Sequence, residues 1–138
     1  MESIEILKSK PPPAGYKIEE LPAGEISDQE ETQDQIWVHC RSCLHKIALQ
    51  SDKISILDAH SHIFENPAGI FYRVVCYRSA PGTINITDYT MENTWFPGCL
   101  WSITLCRSCS NHLGWHYISG SGDFFGLIAD RLTLVFIH

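Results

Sequence analysis

The sequence is short of basic residues and of long apolar runs, and each shortage excludes a class of protein. Ten lysines and arginines stand against sixteen acidic residues, for a net charge of −6, so the chain lacks the basic surface that binds a nucleic-acid backbone. No apolar run approaches the roughly twenty residues that span a bilayer, and residues 1–5 lack the features of a signal peptide. We therefore expect one domain in the cytoplasm or the nucleus that binds neither nucleic acid nor membrane.

The acidic excess is confined to residues 1–35. This segment has nine acidic residues and three lysines, whereas residues 36–138 have seven acidic and seven basic residues. Three consecutive prolines, Pro11 to Pro13, and further prolines and glycines interrupt any helix in it. We predict that residues 1–35 are a disordered acidic leader and that residues 36–138 form the folded domain.

The domain segment lacks the periodicity of a long amphipathic helix and is rich in short β-type runs. Apolar and β-branched residues alternate along residues 70–77, and Pro81-Gly82 is a turn signal. Residues 58–62 are polar, and residues 64–69 contain the Asn, Pro and Gly of a turn, so we predict loops there. The predicted fold is mainly β, with short antiparallel strands at residues 36–39, 44–49, 53–57, 70–77, 83–86, 100–105, 110–118, 124–128 and 132–137.

Four of the six cysteines form two Cys-x-x-Cys pairs, Cys40/Cys43 and Cys106/Cys109. A tight turn between two strands lets both thiolates of such a pair face one ion, and four thiolates suit a tetrahedral Zn²⁺. Because four sulfur ligands leave no open position for water, the predicted zinc site is structural and ties two distant hairpins together. The alternatives are a redox pair, an iron site of the rubredoxin type and a disulfide framework, the last of which an oxidising compartment would favour.

Three of the four tryptophans, Trp95, Trp101 and Trp115, flank the second cysteine pair. Strand periodicity puts Trp115 on the same face as Tyr117 and puts Trp101 on the apolar face of its own strand. Indoles that converge beside a zinc site form either the core of a small domain or the walls of a pocket. Spacing alone leaves both interpretations open.

Five ordered motifs favour the pocket. In chain order they are Asn66-Pro67-x-Gly69, Trp95-Phe-Pro-Gly-x-x-Trp101, Cys106-x-x-Cys109, His112-x-Gly-Trp115-x-Tyr117 and Phe125-Gly126-Leu127. Together they resemble the CULT family, the thalidomide-binding domains of the cereblon type, over residues 36–134. The expected protein is a single-domain, cereblon-like member.

The resemblance implies a β-tent of two antiparallel sheets pinned by a structural zinc ion on four cysteines. It also implies that three tryptophans wall a cage for a cyclic imide such as glutarimide, a thalidomide-type ligand, an imide-bearing protein chain end or a related ring such as uridine. No catalytic residue is implied, so we expect a binding module and not an enzyme. The implied ligand-binding residues are Asn66, Asn93, Trp95, Trp101, Trp115 and Tyr117.

The chain differs from the family at Asn93, where the family usually has a histidine whose side chain donates a hydrogen bond to the ligand. The Asn93 amide can donate similarly from a shorter side chain. Residues 1–35 leave no room for the family's ubiquitin-ligase docking segment, so we do not expect this chain alone to bind a ubiquitin-ligase adaptor. The alternative functions are a zinc β-tent that binds a protein surface and a methionine sulfoxide reductase-like enzyme with Cys76 or Cys99 as nucleophile.

Overall fold

In the computed structural model, the protein is built from antiparallel strands. The structure describes residues 18–20 and 35–135. The strands are β1 (Ile18–Glu20), β2 (Trp37–Cys40), β3 (Lys46–Leu49), β4 (Ile54–Ile56), β5 (Ser61–Glu65), β6 (Phe71–Tyr77), β7 (Thr83–Asn85), β8 (Leu100–Cys106), β9 (His112–Ser119), β10 (Gly122–Ile128) and β11 (Leu132–Leu134). Two short 3₁₀ turns, Gln50–Asp52 and Ala129–Arg131, interrupt them. Within these residues no helix has the length and apolar character needed to cross a bilayer.

Two sheets account for most of the strands. The larger has six strands in the order β5-β6-β10-β9-β8-β7, and the smaller has three in the order β11-β2-β3. All pairings are antiparallel. These sheets confirm the prediction of a mainly β fold of two antiparallel sheets. The strands form because short runs of β-branched and aromatic residues, separated by turns, favour extended segments that pair with their neighbours.

The apolar interior has two parts. One packs around Val38, Ile47 and Leu127 and includes the buried zinc-pair residues Cys40 and Cys106. The other contains the tryptophans that flank the second cysteine pair, together with buried tyrosine, phenylalanine and isoleucine side chains. We call this second part the aromatic cluster; its aromatic members are Tyr72, Trp95, Phe96, Trp101, Trp115, Tyr117 and Phe124.

Strand β5 corrects the prediction of a loop at residues 58–62 and of a turn that begins at residue 64. The run Ser61–Glu65 is a strand in which half-buried His62 and Phe64 alternate with exposed neighbours. The alternation of inward and outward side chains is hard to recognise in the sequence because this short run contains polar and charged residues. The turn itself starts at Asn66, whose backbone N–H donates to the carbonyl of Ile70 at 2.8 Å.

Within the predicted leader, residues 18–20 form β1, which pairs with β4 so that Ile18 lies opposite Ile56. The rest of that segment lies outside the described residues. The predicted final strand is shorter than expected, since β11 ends at Leu134, and residues 136–138 also lie outside the described part.

Candidate zinc centre and aromatic site

The four predicted cysteine ligands come together at one point. The sulfurs of Cys40, Cys43, Cys106 and Cys109 all lie within 4.8 Å of one another, with Cys40 Sγ 3.7 Å from Cys109 Sγ and Cys43 Sγ 3.6 Å from Cys106 Sγ. Four sulfurs placed ~2.3 Å from one zinc ion at the corners of a tetrahedron are about 3.8 Å apart. The donor set and its spacing therefore fit a zinc ion.

The two knuckles that present these sulfurs have the same backbone geometry. In the first, Cys40 N–H donates to His45 O at 2.8 Å and Leu44 N–H to Cys40 O at 2.7 Å. In the second, Cys106 N–H donates to the carbonyl of Asn111 at 2.8 Å, and Ser110 N–H donates to Cys106 O at 2.9 Å. Each turn closes on a residue with positive φ, 66° at Leu44 and 67° at Ser110.

The zinc centre joins the two sheets. Cys40 and Cys43 belong to the β2–β3 hairpin of the smaller sheet, and Cys106 and Cys109 belong to the β8–β9 hairpin of the larger one. The backbone N–H of His45 lowers the pKa of the exposed Cys43 thiol to about 7, which favours the thiolate that binds metal. A zinc ion at this position therefore links the β2–β3 and β8–β9 turns, next to the apolar core that Val38, Ile47 and Leu127 form.

The aromatic cluster brings the three predicted tryptophans to the larger sheet, all of them buried. Trp95 and Trp115 meet edge to face, with 5.2 Å between ring centroids and 77° between ring planes. Trp101 lies on β8 opposite Tyr117 on β9, and the neighbouring pair is Ile103 with Trp115. Directly paired residues of an antiparallel sheet lie on the same face, so Trp101, Trp115 and Tyr117 share one face.

Tyr72, a member of the aromatic cluster, and Phe64, which packs against it, both contact the tryptophans, and sequence reasoning missed both. Phe64 stacks on Trp95 at 4.6 Å and 14° between planes, and Tyr72 packs edge to face on Trp115 at 5.8 Å. They lie opposite each other on β5 and β6. The alternation in residues 61–65 is the signal that would have placed Phe64 inward.

The indole N–H groups of Trp101 and Trp115 have different surroundings. Trp101 Nε1–H donates to the carbonyl of Glu92 at 2.9 Å. Trp115 Nε1–H is buried, and none of the described residues accepts a hydrogen bond from it. A buried donor with no acceptor costs about 1–3 kcal/mol, and such groups are rare in folded proteins. The Trp115 N–H can therefore donate a hydrogen bond to an acceptor from outside the described chain.

Asn93 lies in the β7–β8 loop (residues 86–99), which also carries Trp95. Its φ is 55°, in the left-handed region that few residues other than glycine adopt, although asparagine and histidine are enriched there. Backbone strain of this kind clusters at ligand sites. The conformation explains why asparagine is suited to this position.

Asn66 organises the β5–β6 turn. Its side-chain oxygen accepts the backbone N–H groups of Ala68, at 2.9 Å, and Ile70, at 2.8 Å, and the residue is 4% exposed. This side-chain-to-backbone arrangement fixes the turn beside Phe64. The amide oxygen of Asn66 is thus engaged in the turn, and its predicted contact with a ligand stays a prediction.

Cys76 and Cys99 are both fully buried in the aromatic cluster. Burial raises the pKa of the Cys76 thiol far above its usual range, so it stays protonated and unreactive. This environment is typical of a structural cysteine. It disfavours Cys76 as the nucleophile of a reductase.

A cavity of about 400 Å³ adjoins the aromatic cluster. Ile103, Leu105 and His112 line it, with Ile86 and Arg131. Leu105 pairs with His112, two pairs along the register from Ile103 with Trp115 and beyond a register shift at Thr104/Leu105. The His112 ring packs edge to face on Trp115 at 5.0 Å. The cavity therefore lies on the same sheet face as the tryptophans.

Residues 36–134 match the family model described as Yippee zinc-binding/DNA-binding /Mis18, centromere assembly. The chain belongs to the Yippee–Mis18 family. The family is zinc-binding, and Cys40, Cys43, Cys106 and Cys109 lie close enough together to hold the zinc ion.

Among individual proteins, this Yippee–Mis18 domain is similar to cereblon. It is 32% identical to cereblon of Drosophila willistoni over 111 residues, which are 74% of this chain and 18% of the relative. It is 27% identical to cereblon of Danio rerio over 100 residues, 67% of this chain and 23% of the relative. The chain thus spans less than a quarter of these relatives, and the similarity concerns one part of each.

Proposed function

We propose that this protein is a binding module of the CULT type that recognises cyclic imides in a cage walled by Trp95, Trp101 and Trp115. The observation that carries the proposal is the buried Trp115 N–H, for which the described chain offers no acceptor. A purely structural cluster gains nothing from such a donor, whereas a ligand carbonyl would satisfy it. The similarity to cereblon is further support.

An imide suits these surroundings chemically. It presents a flat acceptor–donor–acceptor edge, and its ring carbons are apolar. Large, rigid indoles cover such carbons at a low cost in conformational entropy. A ring without the imide edge would leave polar groups of the dry site without hydrogen bonds, and this cost would select against it. Since glutarimide has about eight heavy atoms and the best small ligands gain at most ~1.5 kcal/mol per atom, its binding free energy is at most about 12 kcal/mol, so its Kd should not fall below the nanomolar range.

The adjoining cavity would hold the group attached to the imide. Its walls are apolar at Ile86, Ile103 and Leu105 and cationic at Arg131, and its size lies in the range of ligand pockets. We therefore expect a substituted imide, such as one at a peptide chain end, to bind more tightly than glutarimide. Ile86→Asp should remove that gain and leave glutarimide binding unchanged, whereas Ile63→Asp, on the exposed face of β5, should affect neither.

The test of the cage is a titration with glutarimide that follows tryptophan fluorescence and thermal stability, beside its ring-opened amide. We expect saturable quenching by the imide alone. Trp101→Ala should abolish it, and Trp37→Ala should keep it, because Trp37 is on β2 of the smaller sheet. Quenching that is equal for both compounds, or absent from folded, zinc-loaded protein, would refute imide recognition.

The alternative function is binding of a protein surface. It rests on the exposed apolar side chains of Ile63 and Phe71, which are 66% and 65% exposed. Partner binding that glutarimide does not compete with, and that Phe71→Ser abolishes, would favour this alternative.

A further inference from the structure

A continuous hydrogen-bond chain crosses the face of the larger sheet opposite the tryptophans. Its centre is His116, which lies between Trp115 and Tyr117 on β9 and points to the other face. His116 Nε2 is 2.8 Å from Asp123 Oδ2, and His116 Nδ1 is 2.6 Å from the hydroxyl of Tyr89. The chain thus joins β10, β9 and the β7–β8 loop.

The chemistry of the partners fixes the direction of these hydrogen bonds in the neutral imidazole. The Asp123 carboxylate only accepts, so His116 Nε2 carries the proton and Nδ1 is the acceptor. Tyr89 O–H therefore donates to Nδ1. Burial raises the pKa of Tyr89, which keeps its hydroxyl protonated as a donor.

The other end of the chain is also determined. Thr104 O–H donates to Asn85 Oδ1 at 2.7 Å, which orients the amide so that Asn85 Nδ2 donates to the Tyr89 oxygen at 3.3 Å. Each group in the chain then donates a hydrogen bond to the next group, from Thr104 at one end to Asp123 at the other. A chain with one direction holds its central tyrosine in one position.

Tyr89 belongs to the β7–β8 loop, the segment that carries Asn93 and Trp95. Thr90 ties this loop to β8 through paired backbone hydrogen bonds with Trp101, of 2.8 and 3.1 Å. Tyr89 instead reaches past β8 to His116 on β9. Since Trp115 and Tyr117 flank His116 in sequence, this contact sets the position of the loop's cage residues relative to those of β9.

We propose that Tyr89 and His116 are positioning residues that hold the β7–β8 loop in its ligand-binding geometry from the opposite face of the sheet. The effect on affinity rests on the proposed imide function. The binding-competent loop conformation would be less populated without the anchor, which weakens apparent affinity in proportion. The positioning itself is a property of the unliganded protein and is measured without a ligand.

The decisive variant is Tyr89→Phe, which removes one hydroxyl from a partly exposed ring. We expect faster hydrogen exchange of the amides of residues 88–94, loss of the single His116 tautomer in its imidazole ¹⁵N spectrum, and about three- to tenfold weaker glutarimide binding. The matched control is Tyr77→Phe, in the other part of the core, which should leave all three unchanged. Asp123→Asn should also release the tautomer, because an amide can donate to Nε2 as well as accept.

Unchanged exchange and an unchanged tautomer in Tyr89→Phe would overturn the inference. So would faster exchange with unaltered glutarimide affinity, because the anchor would then not position the site. Failure of the wild-type protein to bind glutarimide would instead refute the proposed function. The exchange and tautomer measurements would still decide whether Tyr89 and His116 hold the loop.

Discussion

Trp101 and Trp115 lie on the same face of neighbouring strands, and their indole N–H groups differ. Trp101 donates to Glu92 O, whereas the described residues leave the buried N–H of Trp115 without an acceptor. The Trp101 indole stabilises the fold through this hydrogen bond, whereas the Trp115 indole N–H is buried without one among the described residues. In the proposed cage, Trp101 would therefore serve as an apolar wall and Trp115 as a hydrogen-bond donor.

The difference predicts unequal effects of one substitution. Both Trp101→Phe and Trp115→Phe remove the same apolar volume, but only the first leaves a carbonyl unpaired, and only the second removes an unsatisfied donor. We expect Trp101→Phe to destabilise the unliganded protein by about 1–3 kcal/mol more than Trp115→Phe. Urea denaturation measures both; equal losses would mean that the Trp115 N–H has an acceptor.

Zinc removal should unfold the domain rather than merely empty a site, because the ion joins the β2–β3 hairpin to the β8–β9 hairpin. We expect chelation to abolish the cooperative thermal transition. Cys109→Ser should lower bound zinc, measured by elemental analysis, together with stability. The control is Ser121→Ala in the exposed β9–β10 turn, far from the cysteines in sequence, which should change neither. A chelated protein that kept its transition would contradict a structural role.

Asn66 should affect turn stability and ligand binding separately. Asn66→Ala removes the acceptor of two backbone N–H groups, so we expect a loss of about 1–3 kcal/mol. Asn66→Asp keeps an oxygen acceptor and should retain most of that stability. If the amide N–H₂ contacts the imide, Asn66→Asp weakens glutarimide binding in a stable protein. Unchanged affinity in that variant would restrict Asn66 to the turn.

Asn93 allows backbone and side-chain effects to be distinguished. Asn93→Gly accommodates the positive φ and should preserve stability, whereas Asn93→Ala should cost about 1–2 kcal/mol. Both remove the amide, so both should weaken glutarimide binding if that amide donates to the ligand. Asn93→His tolerates the same φ and restores a donor with longer reach. Calorimetry of the three variants would contradict the role if affinity did not change in any of them.

Local features of the sequence were sufficient for the metal site and most strands. Two Cys-x-x-Cys pairs determine a tetrahedral ligand set, and alternating runs such as residues 71–77 determine strands within one or two residues. Strand β5 was missed because His62 and Glu65 conceal its alternation. The hydrogen-bond chain from Tyr89 to Asp123 was missed because its members are separated in sequence and meet only through the register of β8, β9 and β10.

Strand β9 leaves the zinc knuckle at Cys109 and then presents Trp115, His116 and Tyr117 to alternate faces of the sheet. Inserting one residue between Cys109 and Trp115 would exchange those faces and send both aromatic rings toward Asp123. Two inserted residues would restore the faces but shift every cross-strand partner by two residues. The number of residues between Cys109 and Trp115 therefore determines which face of the sheet each of these side chains occupies. During evolution the segment can change its side chains, but a change in its length would have to be matched on β8 and β10 at the same time.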